Sequence, residues 1–105
     1  MTGGRGKDKL RGLQGSDAID GSAGNDVLIG GGGSDTLRGN SGFDTARGGS
    51  GGDFVQGGTG DDLLRGNAGR DDLRGFGGRD VLRCGRGIDS CSGGGGRDKQ
   101  RGCER

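Results

Sequence analysis

Apolar residues along this chain are sparse and evenly spaced. Leu10, Ile19, Leu28, Leu37, Ala46, Val55, Leu64, Leu73, Leu82 and Cys91 stand nine positions apart, and only Gln100 breaks the column. Each sits between mostly polar or small residues. One apolar side chain between two outward ones is the period-2 signature of a very short strand with one buried face.

The residues between the apolar positions keep the same period. Asp recurs at Asp8, Asp17, Asp26, Asp35, Asp44, Asp53, Asp62, Asp71, Asp80, Asp89 and Asp98, in a chain with only 14 Asp. Two positions before each marker Asp stands Gly. Five positions before it stands Gly in every unit except one, where Cys84 takes its place. Four positions before it Gly is commonest, with Asn40, Asn67 and Ser22 as substitutes. The consensus is G-(G/N)-x-G-x-D-x-(apolar)-x, as in GGTGDDLLR at 57–65. Gly and Asn tolerate positive φ, so the first positions of each unit predict a tight turn.

A unit of six turn residues and three strand residues cannot fold alone. Stacked, each strand pairs with its equivalent one coil away and the apolar column becomes a continuous core. Two units per coil predict a flattened, all-β solenoid with two parallel sheets, in which residues 18 apart are in register. At about 4.8 Å per coil, five to six coils make a rod roughly 25–30 Å long. The whole chain reads as one domain: residues 1–11 as first repeat and cap, 12–92 as core repeats, and 93–105 as a polar cap with Gln100 in the core column.

The unit resembles the RTX (haemolysin-type) calcium-binding nonapeptide, G-G-x-G-x-D-x-U-x, over nearly the whole chain. That resemblance implies a right-handed parallel β-roll. It also implies several Ca2+ ions between neighbouring turns, held by Asp carboxylates and turn carbonyls. The metal candidates are Asp17, Asp26, Asp35, Asp44, Asp53, Asp62, Asp71, Asp80 and Asp89, with Gly30, Gly48 and Gly57 in the cleanest turns. Markers two units apart should meet: Asp26 with Asp44, Asp44 with Asp62 and Asp62 with Asp80 on one edge. On the other they are Asp17 with Asp35, Asp35 with Asp53 and Asp53 with Asp71. Calcium takes six to eight hard oxygen ligands, which carboxylates and exposed turn carbonyls supply. The bland alternative is that each Asp merely caps its turn.

Composition sharpens this picture. Gly supplies 32 residues, Pro none, and hydrophobic residues only 24%. Without the period such a chain would read as disordered. With it, the thin core predicts that the chain is largely unfolded without metal, so that binding energy is folding energy. Net charge is +1, which argues for neither nucleic acid nor membrane, and no apolar run is long enough to span a bilayer. The start, MTGGRGKDKL, has no apolar run of the kind a signal peptide carries.

Some units depart from the consensus. Leu13 and Phe76 occupy the Gly/Asn column, predicting distorted or less occupied turns. Arg70, Arg79 and Arg97 precede a marker Asp and either pair with a carboxylate or point to solvent. GGRGKD at Asp8 matches well but lies at the end of the stack. Arg47, Arg65, Arg83 and Arg101 are 18-residue neighbours and should form a cationic stripe. That stripe serves solubility and edge protection or contacts an anionic surface or polysaccharide. No aromatic residues interleave with it for base stacking, so nucleic acid is not expected.

Cys91 fills the apolar column and reads as a small core residue. Cys84 is one coil from Gly102, which brings Cys103 near and predicts a Cys84–Cys103 disulfide; similar chains of the RTX type share the C-G-x-G-x-D and terminal C-E pattern. A disulfide and weak calcium sites both point outside the cytosol, to a secreted protein. The chain has no His and one Glu, and no nucleophile has a base beside it, so an enzyme is not expected. The competing readings are a disordered Arg-Gly segment that binds RNA, and a metal-free solenoid held by Arg–Asp pairs.

Overall fold

The computed structural model describes residues 2–85 and 90–93 and, for the backbone alone, 99–101. It is all-β. The strands are β1 (Lys9–Arg11), β2 (Ala18–Asp20), β3 (Val27–Gly31), β4 (Thr36–Ser41), β5 (Thr45–Gly49) and β6 (Phe54–Thr59), followed by β7 (Leu63–Asn67), β8 (Asp72–Phe76), β9 (Val81–Arg83), β10 (Ser90–Ser92) and β11 (Lys99–Arg101). Odd strands form a six-stranded sheet in the order β1-β3-β5-β7-β9-β11, and even strands a five-stranded sheet in the order β10-β8-β6-β4-β2. Every pairing is parallel with an offset of 18, as in Leu28↔Ala46 and Leu37↔Val55. This is the parallel β-roll that the nine-residue period predicts.

The apolar column is the core. Ile19, Leu28, Leu37, Ala46, Val55, Leu64, Leu73 and Leu82 form one buried cluster, with Leu10 and Cys91 packed partly buried against it. The smallest extent of the Cα trace is 12 Å. That is the thickness of two sheets packed about 10 Å apart, with one layer of side chains between them.

Two local expectations change. Central strands run five or six residues rather than three, because pairing continues past the apolar residue into the next turn, as at Asn40↔Gly58. The turn proper is correspondingly shorter. Leu13 and Phe76 do not distort their turns: they adopt φ of 75° and 70°, the same left-handed conformation as Asn40 and Asn67 at 72°. Their side chains escape into solvent, 67% and 44% exposed. The turn keeps its shape at a cost of about 1–2 kcal/mol for each left-handed L residue.

Candidate metal centre

Turns join the sheets along two edges. On one edge they end at Asp17, Asp35, Asp53 and Asp71 and lead into β2, β4, β6 and β8. On the other they end at Asp8, Asp26, Asp44, Asp62 and Asp80 and lead into β1, β3, β5, β7 and β9. The strand after each marker buries its apolar residue, and this draws the Asp in behind it. Asp26, Asp35, Asp44, Asp53, Asp62, Asp71 and Asp80 are only 1–3% exposed.

The two carboxylate oxygens have different surroundings. Each Oδ1 accepts the backbone N–H of the marker one coil earlier. Asp26 donates to Asp44, Asp44 to Asp62 and Asp62 to Asp80, each at 2.9 Å. On the other edge Asp17 donates to Asp35 at 2.8 Å, and Asp35 to Asp53 and Asp53 to Asp71 at 2.9 Å. These are the six pairs that the 18-residue spacing predicts. The Oδ2 atoms of Asp8, Asp17, Asp26, Asp35, Asp44, Asp53 and Asp62 are buried with no hydrogen-bond partner.

Each Oδ2 faces the Gly five residues earlier. A Cβ on Gly30 would stand 2.5 Å from Asp35 Oδ2 and 2.6 Å from the carbonyl oxygen of Gly48. A Cβ on Gly57 would stand 2.5 Å from Asp62 Oδ2, and one on Gly48 would collide with Asp53 Oδ2. The Gly column is therefore a spatial requirement: it keeps open the space where a carboxylate oxygen and a carbonyl oxygen converge.

Burial makes five of these carboxylates hard to ionise. Desolvation raises Asp26 and Asp35 above the usual carboxylate range, lifts Asp44 to about 6, and lifts Asp53 and Asp62 to about 7. The backbone N–H at each Oδ1 pulls the other way, and neighbouring carboxylates add to the rise. A buried, unpaired carboxylate is costly unless a cation or proton neutralises it. Among the described residues no three His, Cys, Asp or Glu side chains converge. A cation here must take its ligands from one or two carboxylates and the turn carbonyls. That all-oxygen set suits calcium and lacks the nitrogen and sulfur that zinc prefers. The donor set, the orphaned oxygens and the Gly-lined space all fit calcium.

The sequence singled out Gly30, Gly48 and Gly57, but Gly12, Gly21, Gly39, Gly66 and Gly75 stand in the same relation to their own Asp. Asp8 also belongs to the row. Its N–H donates to Asp26 Oδ1 at 2.9 Å and its Oδ2 has no partner. Its phase in the repeat was the signal. Asp89 lies outside the described residues. Arg70 and Arg79 are exposed.

The expected Cys84–Cys103 disulfide falls on Cys103, which lies outside the described residues. Cys84 is bonded to Cys91, with the Cα atoms 6.6 Å apart, within disulfide reach. Cys84 is fully buried and Cys91 occupies the inward column, so both side chains point into the roll.

The family comparison agrees with this geometry. The model described as RTX calcium-binding nonapeptide repeat (4 copies) matches in overlapping windows at 2–37, 11–46, 29–64, 38–73, 47–82 and 56–91. No curated protein and no solved structure matches the chain. The windows together span residues 2–91 without a gap, in phase with the buried Asp rows: the chain belongs to the RTX calcium-binding nonapeptide repeat family.

Proposed function

We propose that this chain is a non-catalytic, calcium-dependent β-roll module of a secreted bacterial protein, which folds on meeting calcium outside the cell. The observation that carries the reading is the ladder of buried Oδ2 atoms without protein partners, repeated coil after coil on both edges. The ligands would be Asp17, Asp26, Asp35, Asp44, Asp53, Asp62, Asp71, Asp80 and Asp89, joined by Asp8, with carbonyls such as that of Gly48. When bound, the cation supplies positive charge between adjacent turns, offsetting the desolvation of the carboxylates on either side. No guanidinium takes that place at Asp26, Asp35, Asp44, Asp53 or Asp62, which speaks against a solenoid held by Arg–Asp pairs in the central coils.

The test is far-UV circular dichroism with calorimetry. Calcium should convert a largely unordered spectrum into a strand spectrum, with several ions bound per chain. A strand spectrum that persists in excess chelator, with no heat on calcium addition, would sink the proposal.

A further inference from the structure

The two outer sheet faces differ in charge. On the six-stranded sheet the outward positions of β1 to β9 carry Lys9, Arg11, Arg47, Arg65 and Arg83 among Val27, Ile29, Thr45, Leu63 and Val81, with no acidic residue. On the five-stranded sheet Asp20 and Asp72 offset Arg38 and Arg74. There Arg74 pairs with Asp72 at 3.4 Å and lies 5.5 Å from the centre of the Phe54 ring. Of the two sheet faces, only one thus carries an excess of positive charge, in a chain whose net charge is only +1.

Arg47, Arg65 and Arg83 occupy one register position on successive strands. Parallel pairing sets them about 4.8 Å apart in a straight row. None of the three pairs with a carboxylate among the described residues, and Arg65 Nε is buried with no hydrogen-bond partner. Like charges at this spacing repel and call for an external counter-charge of matching pitch.

We propose that this face docks a linear acidic polysaccharide, one anionic group per strand. The proposal rests on the calcium reading, since only the folded roll aligns the row. Each bound divalent cation also adds net positive charge to the chain, so loading strengthens the face. The pitch selects the partner. A pyranose ring with its linking oxygen repeats at about the strand spacing, whereas successive phosphates of a nucleic-acid strand are separated by a whole sugar–phosphate unit and lie farther apart. The face carries no aromatic residue to stack a base. A lipid surface is disfavoured because none of the exposed large apolar residues, Leu13, Phe43 and Phe76, is on this sheet.

The experiment measures binding of the whole chain to dextran sulfate, neutral dextran, single-stranded DNA and anionic phosphatidylglycerol vesicles. Each is run in calcium and in chelator, with circular dichroism on the same samples. Dextran sulfate should bind best, in calcium. The triple variant R47Q/R65Q/R83Q should bind at least about tenfold more weakly while keeping its calcium-induced strand spectrum. The opposite-face variant R38Q/R74Q should stay within about twofold. No binding to dextran sulfate, equal loss in both variants, or tighter binding to DNA or vesicles overturns the proposal. If strand spectrum and selective binding both persist in chelator, the calcium reading fails and the docking face stands.

Discussion

The central coils and the segment around Cys84 and Cys91 are held by different means. In the central turns Gly holds the position five before Asp, and a bare Cα leaves space beside a buried carboxylate. Nine residues after Gly75, Cys84 holds that position, and its sulfur is bonded to Cys91 in the core column. One arrangement leaves a charge for a cation to neutralise, and the other ties the end of β9 to β10 by a covalent bond. The difference teaches that a bare Cα in this column keeps space beside a buried carboxylate, whereas a side chain in it reaches the core column instead.

The largest way to break this comparison is pH. The raised values mean that the folded, metal-free chain holds protons the unfolded chain has released. The resulting destabilisation is absent below about pH 4 and complete above about 7. In chelator, strand content should therefore be higher near pH 5 than near pH 8. In calcium the order reverses, because the ion must displace those protons. Calcium affinity should fall more than about tenfold per central site between pH 7.5 and 5.5. The Cys84–Cys91 bond itself has no such dependence. Calorimetry across pH checks this; an affinity flat over the range would refute the ligand assignment.

Gly48→Val comes next. Its side chain enters the space of Asp53 Oδ2. Overpacking alone should cost about 1–3 kcal/mol, and at least one ion should be lost, read as a lower stoichiometry. Cutting the disulfide follows. Reduction, or Cys84→Ser, should cost about 2 kcal/mol for so short a loop. The loss should be confined to hydrogen-exchange protection in β9 and β10, with the central calcium number unchanged. If the central sites empty as well, the two regions are not independent. The smallest effect is Leu13→Gly, which removes a left-handed L residue whose side chain is mostly exposed. It should stabilise the roll by up to about 1–2 kcal/mol, read as a raised Tm in calcium.

Much of the roll was legible because parallel stacking turns a sequence period into a spatial register. Leu37 and Val55 are 18 apart in the chain and neighbours in the sheet, so the apolar column names the core directly. The Asp pairs follow from the same arithmetic. The split between Oδ1, bonded to a backbone N–H, and Oδ2, left open beside Gly, was not legible. It depends on how far one coil is displaced over the next, which no spacing encodes. Leu13 and Phe76 misled for a related reason: residue type warned of strain, but whether the turn bends or the side chain turns outward depends on the solvent beside it.

The sequence by itself determined the architecture, the register, the core and the acidic rows, because each is a consequence of one nine-residue period. Tertiary structure alone decided which oxygen of Asp26, Asp35, Asp44, Asp53 and Asp62 remains available, that Arg47, Arg65 and Arg83 of the expected stripe pair with no carboxylate among the described residues, and that Cys84 joins Cys91. These outcomes depend on side-chain direction and on distances of a few ångströms between coils, and a linear pattern of residue types carries neither.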